Sequence, residues 1–157
     1  MKTIRFFLAA LTLSATSLIA SAQTTPALTA YYGVKDALVA TDVAKAKTGA
    51  TALVTALSKV DAAKLSANDK KALATAKTKA TAISKTNDVD TQRAAFEGLS
   101  TSMIALAKAT KPAKAYVQFC PMAAEGKGAS WLSDKREVRN PYYGDKMLKC
   151  GSVKEEI

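Results

Sequence analysis

The sequence predicts an all-α protein, an antiparallel up-and-down bundle of three main helices that is capped by an irregular C-terminal segment rich in cysteine, methionine and aromatic residues. Apolar residues recur every three or four positions over long stretches, which is the pattern of helices with one buried face. Both cysteines, the only tryptophan and two of the four methionines fall within residues 116–153. The specific chemistry is therefore expected in that segment, with the rest serving as scaffold.

Residues 1–22 have the features of a secretory signal peptide. Lys2 and Arg5 come first, an apolar stretch follows, and Ala20-Ser21-Ala22 fits the small-x-small cleavage pattern. A membrane anchor is the alternative, but threonines and serines interrupt the stretch, and it is shorter than the ~20 apolar residues that a span needs. We predict cleavage after Ala22 and a periplasmic or secreted protein, with no stable membrane insertion after cleavage.

The first predicted helix runs from Leu28 to Val60, where a single apolar stripe continues at helical spacing. Gly33 and Gly49 lie within it, and each weakens a helix by about 1 kcal/mol relative to alanine. One of these glycines is therefore expected to mark a bend or a close contact with a neighbouring helix.

The second predicted helix begins near Ser66, which forms an S-x-x-D capping signal with Asp69, and it ends near Lys85. Asn87 and Asp88 then break the chain and cap the next helix.

The third predicted helix spans Val89–Ala109, and Pro112 ends it because the residue before a proline disfavours helical geometry. Short connections between the three helices favour an antiparallel arrangement, so residues 23–111 are predicted to form the bundle.

The C-terminal segment, residues 112–157, is predicted to fold back and cap the bundle as part of the same domain. Alanine dominates the helical stripes, and each small side chain buries little area at ~25 cal/mol per Å². The tryptophan, tyrosines and phenylalanine of the C-terminal segment supply the missing bulk. Its predicted pieces are an extended segment at Tyr116–Phe119, turns at Gly126–Trp131 and Asn140–Gly144, and a helical turn at Lys146–Cys150 that Gly151 closes.

Charge and motif content narrow the classes of function. The chain has 23 Lys and Arg against 13 Asp and Glu, a net charge of +10. The lysines are scattered along the helices without interleaved aromatic residues, which disfavours nucleic-acid binding and favours a solvated surface. The chain contains no histidine and no glycine-rich phosphate loop, so we predict that it is not an enzyme.

Two short motifs, Cys120-Pro121-Met122 and Met147-Leu148-Lys149-Cys150, each combine a thiol with a thioether. Extended geometry before Pro121 and a helical turn before Cys150 would each put the two sulfur groups on one side. Thiolate and thioether donors favour Cu(I), and by extension Ag(I), whereas zinc with only two thiolates would be unusual. The metal-ligand candidates are Cys120, Met122, Met147 and Cys150.

A disulfide between Cys120 and Cys150 is the alternative. An even number of cysteines in an oxidising compartment is its usual setting, and closing a loop of about 30 residues would stabilise the domain by roughly 3.5 kcal/mol. The adjacent methionines favour metal, although most methionines are core filler. The two alternatives are also compatible as two redox states of one site.

Trp131, Tyr142 and Tyr143 are aromatic candidates beside these motifs. Such residues most often belong to a core. If a cuprous ion is bound nearby, their rings would shield it from water.

The segments Phe119–Met122, Trp131–Ser133 and Asn140–Gly151 resemble a secreted bacterial domain-of-unknown-function family. The resemblance extends to the helices through Tyr31–Leu38 and Gln92–Ser100. That family occurs alone and attached to periplasmic adaptor subunits of copper/silver-type (heavy-metal RND) efflux pumps. It implies a periplasmic helical domain that handles heavy metal, with the Cys-Pro-Met and Met-x-x-Cys motifs as ligands and an efflux adaptor or other envelope protein as partner.

The expected function is therefore a periplasmic module that binds or handles Cu(I) or Ag(I) and is linked to heavy-metal efflux. The alternative is a disulfide-stapled helical scaffold or interaction domain of an envelope complex that binds no metal.

Overall fold

The structure, a computed structural model, describes the backbone of residues 4–157 and the side chains of residues 22–157. The predicted signal peptide thus lies, apart from Ala22, outside the residues whose side chains are described. Within the described residues the chain forms four α-helices, two short 3-10 segments and three β-strands. Their bounds are α1 Ile4–Val39, α2 Val43–Ser58, 3-10 Ala62–Lys64, α3 Ala67–Lys85, α4 Val89–Thr110, β1 Tyr116–Cys120, β2 Ala129–Ser133, 3-10 Gly144–Met147 and β3 Ser152–Glu156.

The prediction of an all-α three-helix bundle is wrong. The C-terminal segment contains a three-stranded antiparallel sheet in the order β2-β1-β3, so the fold is mixed. The predicted extended segment at Tyr116–Phe119 is β1, but the predicted turn at Gly126–Trp131 overlaps β2, and β3 was not predicted. Strands of five residues carry little periodicity, and β3 has the polar sequence SVKEE. Their conformation comes from backbone pairing with a distant partner.

The predicted single helix from Leu28 to Val60 is also wrong, because the chain breaks between α1 and α2. Thr41 has a positive φ of 55°, and the Asp42 side chain accepts a hydrogen bond from the Lys45 backbone N–H at 2.9 Å. This N-cap starts a new helix inside the apolar stripe. The two helices then pack closely at Gly49, where a Cβ would lie 3.2 Å from Cγ2 of Val34.

The two downstream helices agree with their predicted limits. The Ser66 hydroxyl accepts a hydrogen bond from the Asp69 N–H at 3.2 Å at the start of α3. Asp88 accepts one from the Thr91 N–H at 2.7 Å at the start of α4. Local capping therefore sets both starts. Among the described residues, no helix combines the length and apolar character needed to cross a bilayer.

The helices pack in chain order, α1 with α2, α2 with α3 and α3 with α4, and α1 also contacts α4. Several of their contact positions are alanine, including the fully buried Ala46, Ala50, Ala76 and Ala80. Strand β2 packs against α4, so the sheet adds to the helical core. The C-terminal segment thus packs on the helices as a sheet with loops.

A line of four aromatic rings joins the helices to the sheet. Tyr31 of α1 stacks on Phe96 of α4 with ring centroids 5.3 Å apart, and Phe96 lies 5.8 Å from Tyr142. Tyr142 in turn meets Trp131 of β2 edge to face at 5.9 Å. Such pairs add about 0.5–1.5 kcal/mol each beyond the area that they bury. The aromatic line supplies bulk that the alanine stripes lack.

The hydroxyl of Tyr31 is a polar junction inside this core. It lies 2.7 Å from the Ser100 hydroxyl oxygen and accepts a hydrogen bond from the Leu132 N–H at 3.1 Å. Desolvation by burial is the main reason that the pKa of Tyr31 lies well above its ordinary value, so the phenol stays neutral. One side chain thus connects α1, α4 and β2.

Two polar side chains anchor the loop between β2 and β3. The fully buried Gln118 of β1 donates from Nε2 to the Glu137 carbonyl at 3.1 Å. Arg93 of α4 donates to the carbonyls of Pro141, at 3.1 Å, and Leu38, at 3.2 Å. The loop after β2 is therefore fastened both to the sheet and to the corner between α1 and α2.

Replacing Tyr31 by phenylalanine is expected to lower the free energy of unfolding by about 2 kcal/mol, because the buried Leu132 N–H and Ser100 hydroxyl lose a partner. Urea unfolding should show a lower midpoint at an unchanged slope. Tyr32→Phe is the matched control, since among the described residues its buried hydroxyl has no hydrogen-bond partner. If Tyr31→Phe were no less stable than Tyr32→Phe, the junction would have no energetic role.

Candidate thiol and soft-metal site

The pairing of β1 with β3 brings the two cysteines together. The strands are antiparallel, with Phe119 opposite Ser152. Cys120 is the residue after Phe119, and it therefore lies across from the chain that precedes Ser152, which contains Gly151 and Cys150. The register of the sheet thus brings together two cysteines that are 30 residues apart along the chain.

Both cysteines are free thiols in this structure, and the pairing of β1 with β3 places them beside each other. Cys120 is fully buried, and Cys150 is partly exposed. The hydrogen bond with Cys120, together with desolvation, raises the pKa of the Cys150 thiol. A hydrogen bond from the Met122 backbone N–H to the Cys150 sulfur partly offsets that rise. The arrangement can form a disulfide or offer two thiolates to one cation.

Gly151 makes the close approach of the two strands possible. It has a φ of 137°, and a Cβ at this position would lie 2.8 Å from the Phe119 carbonyl oxygen and 3.0 Å from Cη2 of Trp131. A side chain would therefore push β3 away from β1 beside the cysteines. The sequence assigned this glycine only to the end of a helical turn.

Asn140 holds the loop that delivers Cys150. It is fully buried, and its Nδ2 donates to the Cys150 carbonyl at 3.0 Å. Its Oδ1 accepts from the Tyr142 N–H at 2.8 Å, and its own N–H donates to the Leu148 carbonyl at 2.8 Å. Sequence reasoning missed this role, because an asparagine before a proline indicates only a turn.

The two methionines border the thiol pair through their backbones. Met122 lies two residues after Cys120, its carbonyl accepts a hydrogen bond from the Tyr143 hydroxyl, and the residue as a whole is 53% exposed. Met147 lies in the second 3-10 segment, is partly buried, and accepts a hydrogen bond from the Cys150 N–H at 3.0 Å. All four predicted ligand residues are therefore neighbours. The hydrogen bonds that Met122 and Met147 make here use their main-chain atoms.

The three aromatic candidates have different positions. Trp131 and Tyr142 are buried, and the Tyr142 hydroxyl donates to the Ser130 carbonyl at 2.8 Å. Burial is the main cause of the raised pKa of Tyr142, and the proximity of Cys120 adds to it. The rings of Trp131 and Tyr142 thus belong to the core side of the Cys120–Cys150 pair. Tyr143 is partly exposed and donates its hydroxyl to the Met122 carbonyl, which fixes the Cys-Pro-Met loop.

The side chains near the cysteine pair limit the ligands that a cation would find there. No group of three or more His, Cys, Asp or Glu side chains there could hold a metal ion together. A cation bound at the pair would have two thiolates and, beyond them, only thioether, backbone or water ligands. Soft monovalent ions suit such a set.

The comparisons with known proteins concern mainly the helices. Residues 27–115, more than half of the chain, match a family described as a protein of unknown function (DUF3347). No curated protein and no solved structure matches the chain. The match ends one residue before β1, so all four candidate ligands lie beyond it. It supports the resemblance to an uncharacterised family and does not bear on secretion or attachment to efflux adaptors.

Replacing Gly151 by alanine is expected to lower the equilibrium constant for joining Cys120 and Cys150 in a disulfide by about tenfold or more, because disulfide geometry tolerates little displacement. Equilibration with a glutathione redox buffer and alkylation of the remaining thiols would measure it. Gly126→Ala is the control: its φ is also positive, at 84°, but a Cβ there would meet no atom within 4 Å. Equal oxidation of both variants would show that the contact at Gly151 does not set the distance between the thiols.

Proposed function

The chain belongs to the DUF3347 family, and for this member we propose a soft-metal function in which the Cys120–Cys150 pair binds Cu(I) or Ag(I). Met122 and Met147 would be supplementary thioether donors. The observation that supports this proposal is the strand register, which places two free thiols beside each other where β1 meets the start of β3, with Met122 and Met147 in the turns that adjoin them.

The chemistry of the donors supports a monovalent soft cation. Thiolates and thioethers select Cu(I) over hard cations, and the chain has no imidazole for Zn, Ni or Cu(II). On binding, each thiol would release its proton to solvent. The buried rings of Trp131 and Tyr142 on the inner side would limit the access of water to Cys120.

The cellular setting follows from the sequence. The features of residues 1–22 favour export, and the resemblance to domains of efflux adaptors favours a periplasmic or secreted module. In that setting the protein would hold a cuprous or silver ion and pass it to an efflux adaptor or another envelope protein.

Titration of the reduced protein with Cu(I) in the presence of a competing chelator is expected to show one ion bound per chain. The double variant Cys120→Ser/Cys150→Ser should bind at least about 100-fold more weakly, because thiolates provide most of the affinity for a soft ion. Met103→Leu is the control, since Met103 is buried in the helical core away from the site. Undiminished affinity in the double serine variant would remove the proposal.

The alternative function is a disulfide-stapled scaffold or interaction domain without metal. The same contact between the thiols favours it, because oxidation would need little rearrangement. The closed loop would stabilise the domain by roughly 3.5 kcal/mol. The two functions differ in whether thiols are available in the cell.

The intact mass of the protein would separate the two functions. The protein is secreted into the periplasm and alkylated on cell lysis, so that only free thiols are modified. For a metal module we expect free thiols, or a bond with a reduction potential above about −300 mV, because the partly exposed Cys150 is open to exchange. A permanently oxidised pair that resists physiological dithiols would favour the scaffold.

A further inference from the structure

Met122 is the only large apolar residue that is exposed in the described part of the chain. A single exposed apolar residue is ordinary in a protein. This one, however, follows Cys120 by two residues and lies in a turn that the Ala123 N–H closes on the Cys120 carbonyl at 3.4 Å. An exposed methionine thus lies next to the thiol pair.

The backbone of Met122 is held by hydrogen bonds. Its carbonyl accepts one from the Tyr143 hydroxyl and one from the Gly126 N–H at 3.3 Å. The main chain at Met122 is therefore anchored while its side chain reaches solvent.

The sulfur groups differ in their access to water. Met122 is 53% exposed, Cys150 is partly exposed, and Cys120 is fully buried. Met147 is partly buried. A cation arriving from solvent would therefore meet the thioether of Met122 before it reaches the inner thiol.

We propose that Met122 is the capture ligand of the site: its thioether takes the soft cation from a donor and passes it inward to Cys150 and Cys120. This inference rests on the proposed function. The bond between Cu(I) and the donor ligand breaks as the bond to the Met122 sulfur forms. Bonds to the two cysteine sulfurs then form and hold the ion, Met122 remains only as a supplementary donor, and the two thiol protons go to water. The ion remains Cu(I) throughout, so the transfer needs no oxidant or reductant.

The test is the rate at which the reduced protein removes Cu(I) from its bicinchoninate complex, followed by stopped-flow absorbance. Met122→Leu keeps the size of the side chain and removes the sulfur. We expect transfer to slow by about tenfold, which corresponds to about 1.4 kcal/mol in the barrier. Equilibrium affinity should change little, because both thiolates remain. Met103→Leu is the matched control, since Met103 lies in the helical core, and it should transfer at the rate of the unaltered protein. Met147→Leu removes the less exposed thioether and should slow uptake less than Met122→Leu.

Three results would overturn the assignment. An unchanged rate in Met122→Leu would show that the thioether takes no part in uptake. An equal slowing in Met147→Leu would show that exposure does not select the capture ligand. A large loss of equilibrium affinity in Met122→Leu, without slower uptake, would show that Met122 is a principal ligand of the bound ion and not the group that captures it. If the unaltered protein takes up no Cu(I), the proposed function itself fails, so that failure is distinct from the first three.

Discussion

The antiparallel pairing of β1 with β3 is the constraint on which the candidate site depends. Reciprocal hydrogen bonds between Ala115 and Ile157, at 2.8 and 2.9 Å, close one end of the pair of strands. At the other end Gly151 allows the backbones to approach, and the two cysteines meet there. The register shifts between Val117 and Gln118, and the pairs that follow, Gln118 with Val153 and Phe119 with Ser152, set the two cysteines beside each other.

The site and the stability of the fold share the same residues. Alanine-rich helices bury little area per residue, and the aromatic line from Tyr31 to Trp131 adds the bulk that joins them to the sheet. Trp131 also touches the position of Gly151, next to Cys150. A change in the state of the cysteines would therefore act on a part of the core, and a ligand that binds only the folded state would stabilise the bundle by mass action.

The helical part is covered by the family match, and the C-terminal part contains the candidate ligands. The family match covers the helices and ends before β1, whereas every candidate ligand lies in the segment that follows. The helices thus supply the surface on which that segment folds, and the chemistry depends on side chains that the match does not include. The proposed function therefore depends on the thiol pair and its surroundings, because a fold alone supports many activities.

Local signals in the sequence determined the starts of α3 and α4, through the caps at Ser66 and Asp88, and identified the sulfur residues by type and spacing. The break before α2 escaped the prediction because the apolar stripe continues across its cap. Strands β2 and β3, the role of Asn140 and the meeting of Cys120 with Cys150 were decided only by tertiary structure. Strand pairing and burial depend on partners tens of residues away, whereas helix capping depends on backbone groups within one turn.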